Sequence, residues 1–213
     1  MKRFFIILTV SLVTTMSMYS QDLQVIKLNA PNKTRGSAFM QALSDRMSIR
    51  EYDTKELSLQ DLSDLLWAAN GVNRADGKRT APSAMNRQEI DVYVFNKDGA
   101  YFYDAVENAL KPVAKGDFRK EVAASQEFAA TAPVSLVLVA NLEKLGDPKL
   151  ENTLINGALD AGIVNQNINI FCAAVGLATV PRGTMNGEEL KKILKLSDSQ
   201  RLMLNNPVGY PKK

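Results

Sequence analysis

Histidine is absent from all 213 residues, and the chain carries a single cysteine. Without imidazole there is no Ser-His-Asp or Cys-His nucleophile system and no zinc site of the kind that relies on it. Cys172 has no partner for an internal disulfide. Its setting, Ile168-Asn169-Ile170-Phe171-Cys172-Ala173-Ala174-Val175, suits a small buried hydrophobe better than a reactive thiolate. A strong charge of either sign is also missing. The formal net charge of +3 falls to +1 without Lys2 and Arg3, so nothing argues for nucleic-acid or membrane-surface binding. No Pro/Gly/Ser-rich linker and no repeat divides the chain. Catalysis in such a chain is expected to belong to a cofactor.

Lys2 and Arg3 precede the apolar run Phe4 to Val13, and a polar, small-residue stretch ends near Ser20. This is the layout of a secretory signal peptide, and the apolar run is too short to span a bilayer comfortably. Residues 1–20 are therefore read as a signal peptide cut before Gln21, and residues 21–213 as one domain large enough to bury a substantial core. The mature protein is expected to be exported, with the periplasm as its compartment, and to acquire any cofactor after export.

The polar pattern begins at Arg46-Met47-Ser48-Ile49-Arg50-Glu51-Tyr52. In an extended segment Arg46, Ser48 and Arg50 share one side and Met47 and Ile49 the other. Two guanidinium forks and a hydroxyl can grip a phosphate while the apolar pair anchors the segment to a core. A surface edge with scattered charge has the same spacing. A second constellation, Arg79-Thr80-Ala81-Pro82-Ser83-Ala84-Met85-Asn86-Arg87-Gln88, stands before an apolar run. A Pro-Ser turn of this kind can present amides, a hydroxyl and carboxamides to a planar heteroaromatic edge, although a purely structural turn has the same composition.

Periodicity alternates between helix and strand. Phe39, Leu43 and Met47 predict a helix from about Ser37 leading into the arginine segment. Leu59, Leu62, Leu65, Leu66 and Ala69 predict a second, capped by Ser58 and stopped at Asn70-Gly71. Ile90 to Phe95 and Val134 to Ala140 read as strands. A third helix is expected from about Asp104 to Ala114, with Pro112 near its end. Asn156 to Val175 is the longest helical candidate. Gly157, Ala158, Ala161, Gly162, Ala173 and Ala174 would let a second backbone or subunit approach, while Asp160, Asn165, Gln166, Asn167 and Asn169 argue against a membrane span.

Taken together these segments resemble the FMN-dependent nitroreductase family. Arg46 to Tyr52 is similar to its phosphate-binding signature and Pro82 to Gln88 to its flavin-edge loop. Gly176-Leu177-Ala178-Thr179-Val180-Pro181-Arg182-Gly183 is similar to the segment that contacts the isoalloxazine. Ala132-Pro133 and Val208-Gly209-Tyr210-Pro211 follow in the same order. Leu65 to Gly71 and Arg79 to Ala84 further resemble the branch related to azoline oxidases. The resemblance implies an α+β fold, with a central, mainly antiparallel sheet flanked by helices in an intertwined homodimer holding two flavins at its interface. It also implies that Arg46, Ser48 and Arg50 hold the FMN phosphate, and that Pro82, Ser83, Ala84 and Asn86 reach a flavin bound mainly by the other subunit. Arg182 and Gly183 would offer backbone amides near flavin N5 and O4, Gln126 would serve the pyrimidine edge, and Lys212 or Lys213 would complete the phosphate site.

Two departures stand out. Glu89 replaces a proline common in the family after the glutamine, and an export signal is unusual where NADH or NADPH is the electron donor. The leading functional expectation is two-electron hydride transfer through FMN to a small electrophile such as a nitroaromatic or quinone. A flavin-dependent dehydrogenase or oxidase of a ring or peptide-derived substrate is the second, and a non-enzymatic flavin carrier or scavenger the third.

Overall fold

A computed structural model of the chain describes residues 22–212. The expected signal peptide at residues 1–20 and Lys213 lie outside the described residues. Seven strands form one antiparallel sheet: β1 (Ile26–Lys27), β2 (Ile90–Phe95), β3 (Gly99–Asp104), β4 (Ala109–Lys115), β5 (Val134–Asn141), β6 (Ala178–Thr179) and β7 (Gln200–Gly209). Their spatial order is β1-β4-β3-β2-β5-β7-β6. The helices are α1 (Phe39–Asp45), α2 (Leu59–Asn70), α3 (Arg119–Ala123), α4 (Glu151–Val175) and α5 (Gly187–Leu194). No helix among the described residues is long and apolar enough to cross a membrane.

The two central strands read as continuous apolar runs because both sheet faces are covered. Val92, Val94, Leu136 and Leu138 point into a core shared with Leu62, Leu65, Leu66 and Ala69 of α2 and with Ala161, Val164, Ile168 and Cys172 of α4. The alternate residues Tyr93, Phe95, Val137 and Val139 face Val122 of α3 and Leu190 and Leu194 of α5. Cys172 is fully buried, and burial raises its thiol pKa.

The cap expected for α2 is present: Ser58 Oγ accepts the Asp61 N–H at 3.0 Å, and Gly71 closes the helix by donating to Trp67 O at 2.8 Å. Arg35 clamps this helix to the preceding segment through Asp61 at 2.7 Å and Asp64 at 2.9 Å. The expected helix over residues 104–114 is replaced by the β3–β4 hairpin. Asp104 Oδ1 accepts the Val106 and Glu107 N–H groups, and Asn108 adopts φ +47°, so the chain reverses where a helix would have continued. Pro112, which would disrupt a helix interior, pairs with Tyr101 beside a register irregularity in the ladder.

Helix α4 carries the arrangement that matters for the site. Gly157, Asp160, Ala161, Val164, Asn165, Ile168, Asn169 and Cys172 form its buried face at helical spacing. On other faces Leu154, Ile155, Leu159 and Ile163 are exposed by 44, 45, 61 and 38%.

Candidate active site

The arginine segment leaves α1 at Arg46 and runs extended to Tyr52. Ile49 N donates to Thr179 O at 2.9 Å, and Tyr52 bridges Pro211, which brings the end of the chain alongside. Lys212 N donates to Glu51 O at 3.3 Å. Arg50 and Lys212 thereby line one hollow of about 490 Å³ with Tyr52, Asp53, Phe128 and Thr131. Arg46, Ser48 and Arg50 are all exposed, and none of Arg46, Arg50 and Lys212 forms an ion pair among the described residues. Unpaired cations on an exposed edge suit an anion. Arg46 and Ser48 lie on the run beside this hollow and line neither it nor its neighbour. Of the apolar pair, Ile49 packs against Tyr52, Ala132 and Ala178, whereas Met47 is 63% exposed and joins no core cluster among the described residues.

Arg50 and Phe128 also line a second hollow of about 210 Å³ with Gln126, Val180, Pro181, Arg182, Gly183 and Thr184. The two hollows meet at Arg50 and Phe128 to form one trough, with Lys212 lining only the first and Gly183 only the second. Gly183 is exposed, with no atom within 4 Å of where a Cβ would stand. Its backbone can therefore be approached closely.

Arg182 has a different place from the one expected. Its N–H is already donated to Asn205 O at 2.8 Å, so Gly183 supplies the open backbone of the pair. Its guanidinium is buried and donates to Asn205 Oδ1, Ala123 O and Gln126 Oε1, each at 2.7 Å, and to Val122 O at 3.3 Å. It also lies 5.7 Å from the Phe128 ring centroid. Burial lowers the Arg182 pKa, but guanidinium remains charged in proteins. A fixed positive charge therefore backs the trough floor where negative charge on a bound ring would be stabilised. Gln126, expected at the pyrimidine edge, is exposed, lines the second hollow and accepts the Arg182 Nε–H through its oxygen.

The Pro82–Gln88 loop is elsewhere. Ala84 N donates to Asp160 Oδ2 at 2.7 Å, toward the middle of α4, whereas the arginine segment is reached from the far end of that helix, where Ser37 N donates to Ala174 O. The fourteen helical steps from Asp160 to Ala174 span about 21 Å. Within one chain Ser83, Ala84 and Asn86 do not join Arg50, Lys212 and Gly183.

Sequence reasoning missed Phe128 and Asn205, which shape the trough and hold Arg182. Asn205 had a signal: Asn205-Asn206 interrupts an otherwise apolar run, and both side chains are fully buried. Asn206 joins Asn165, Asn169 and Thr179 in a buried polar network, with Asn165 Nδ2 to Asn206 Oδ1 at 2.5 Å and Asn206 Nδ2 to Thr179 Oγ1 at 3.3 Å. Because Thr179 O accepts the Ile49 N–H, the network also fixes the extended segment that carries Arg50.

Residues 43–210 match the Nitroreductase family. The chain is 29% identical over 204 residues to the MJ1384 protein of Methanocaldococcus jannaschii, named a nitroreductase, covering 92% of this chain and 96% of the other. It is 26% identical over 186 residues to an FMN reductase [NAD(P)H] of Bacillus subtilis, covering 81% of this chain and 65% of that one. A crystal structure from Ralstonia eutropha JMP134, described as a nitroreductase, superposes with a TM-score of 0.83 at 37% identity, covering 89% of this chain and 90% of that chain. NfrA2 of Bacillus megaterium shares the fold, with a TM-score of 0.63 at 20% identity over 82% of this chain and 67% of that one. The chain belongs to the nitroreductase family, whose members are FMN-dependent oxidoreductases, and it is an enzyme of that class.

Proposed function

We propose that the protein binds FMN in the trough between Lys212 and Gly183 and catalyses two-electron reduction of a small electrophile, a nitroaromatic or a quinone. The observation that carries this reading is the trough itself: Lys212 at one end, a side-chain-free Gly183 at the other, Arg50 where the two hollows meet, neither cation in an ion pair among the described residues, and buried Arg182 behind the floor. The residues fit the group. Arg50, with Arg46 and Ser48 on the same run and Lys212 beside it, would hold the phosphate; Gly183 leaves room for the ring, and Gln126 would serve its polar edge. When bound, the flavin supplies hydride transfer, and the protein supplies position and electrostatics. Arg182 favours the added negative charge without giving up a proton. The name of the Bacillus subtilis relative makes NADH or NADPH the donor to test.

The working form in this reading is a homodimer. Ser83, Ala84 and Asn86 line neither hollow, and their contact at Asp160 is about 21 Å along α4 from Ala174, near which the arginine segment begins, so in this reading they meet a flavin across a subunit boundary. Exposed Leu159, Ile163, Phe39 and Met47 supply an apolar face for the second chain. The signal-peptide-like layout of residues 1–20 supports, in this reading, an exported enzyme, for which a donor other than a nicotinamide could serve. Purified mature protein mixed with FMN and freed of excess by gel filtration should retain flavin absorbance and bleach on addition of NADH or NADPH. A colourless protein would defeat the flavin assignment, and a coloured one that no donor bleaches would favour a carrier.

A further inference from the structure

Glu89, the departure from the family's proline, joins the Ser83–Gln88 loop to β2 and is fully buried. An ionised carboxylate only accepts hydrogen bonds, and neither Glu89 oxygen meets a donor among the described residues. Within hydrogen-bonding reach is the buried carboxyl of Asp160 on α4. Asp160 is in turn the group that accepts the Ala84 N–H at 2.7 Å. Two buried carboxyls facing each other do not both remain charged, and one proton on Glu89 gives its otherwise unpartnered carboxyl a hydrogen bond to donate to Asp160. Burial first, and then Asp160, push Glu89 up to about 7.

The loop held by this pair has other ties but a costly backbone. Met85, Asn86 and Gln88 all adopt left-handed φ, at +51°, +54° and +50°. Gln88 N donates to Ser83 Oγ at 2.9 Å, Arg79 Nε to Gln88 Oε1 at 3.1 Å, and Lys144 Nζ to Gln88 O at 3.1 Å. Three charged groups on neighbouring elements bear on the pair. Lys144, on the turn after β5, favours the ionised Glu89; it is 3.8 Å from Asp91 of β2, and Arg79 lies across the same polar hollow.

We propose that Glu89 is a positioning residue: one proton shared between Glu89 and Asp160 holds the Ser83–Gln88 loop in the shape that presents Ser83, Ala84 and Asn86 to the flavin. The loop part stands on this geometry alone, and the flavin part rests on the function proposed above. Loss of the proton sets two buried negative charges against each other, draws Asp160 away from Ala84 and frees the loop. Gln at position 89 keeps the shape and carries a permanent donor, so it should lock the loop at every pH.

The test is amide hydrogen exchange at Ala84 in the flavin-free protein near pH 6 and pH 8, corrected for intrinsic exchange, with FMN affinity measured alongside by flavin fluorescence quenching. Wild-type protection should fall by about tenfold between the two values, following the protonated fraction, and should stay constant in Glu89→Gln. Protection that is independent of pH in the wild type, or that falls equally in Glu89→Gln, overturns the proposal. Asp160→Asn provides a second variant, in which the pH dependence should also vanish because no second charge develops. FMN affinity should weaken with the loss of protection in the wild type and not in Glu89→Gln. If exchange changes while affinity does not, the loop's part in flavin binding is refuted. If no form binds FMN at either pH, the flavin assignment fails while the exchange result still decides the proton pair.

Discussion

At the scale of single residues, the trough separates groups that bind from groups that hold. Arg50 is exposed and forms no ion pair among the described residues, so its removal should leave the fold intact while taking away a charge-assisted contact. Arg50→Ala should weaken FMN binding by about tenfold or more, corresponding to roughly 1.5 to 3 kcal/mol, and unchanged affinity on titration would remove Arg50 from the site. Arg182 is the opposite case. Its truncation leaves Asn205 Oδ1 and two backbone carbonyls buried without their donor, so Arg182→Ala should cost on the order of 3 kcal/mol in urea unfolding. Glu89 contributes a pH dependence of definite sign. With a folded pKa of about 7 against an ordinary value of 4.5, its stabilisation is complete below about pH 4.5 and is lost as pH rises through 7, because the folded state binds the extra proton in that window. The Tm advantage of Glu89→Gln over wild type should therefore grow between pH 5 and pH 8, as read by thermal melts of both proteins.

At the scale of elements, local chemistry was legible where the chain announced its own ends. Ser58, Leu59 to Ala69 and Asn70-Gly71 carry a cap, an apolar stripe and a stop, and α2 follows them closely. Ser58→Ala should cost about 1 kcal/mol through the lost cap. Gly71 is more demanding, since a Cβ there would stand 2.7 Å from both Trp67 Cα and Trp67 O. Gly71→Ala should destabilise by roughly 1 to 3 kcal/mol in denaturant melts, because backbone atoms have to move to admit it. The 104–114 segment was misread for a physical reason. Its apolar spacing fits one helical face, but Asp104 and Asn108 spend their turn chemistry on a reversal, and Tyr101 and Tyr103 need strand neighbours to complete the core.

At the scale of the whole molecule, α4 organises the site by its length. Its buried face supports the sheet, while its exposed Leu154, Leu159 and Ile163 await a partner surface in the proposed dimer. Leu159→Asp should convert the protein to a monomer by light scattering and strip it of FMN, while far-ultraviolet circular dichroism stays unchanged. A monomer that keeps full FMN affinity would show that the 83–88 loop plays no part in flavin binding.

The sequence alone determined which side chains could meet a flavin, because fork-shaped cations, a Pro-Ser turn and a bare glycine are properties of residue type and order. It also determined α2, β2 and β5 and the existence of α4, which begins at Glu151 and not at the expected Asn156 because no side-chain cap marks its first turn. Which residues stand together was decided by tertiary structure. Lys212 reaches Arg50 only through the Tyr52–Pro211 bridge, and Arg182 turns inward only because Asn205 arrives beside it on β7. Glu89 became a buried acid only when Asp160, seventy-one positions away, was packed against it. These are long-range contacts, and no local propensity encodes them, because their free energy exists only after the chain has closed the loops that bring them together.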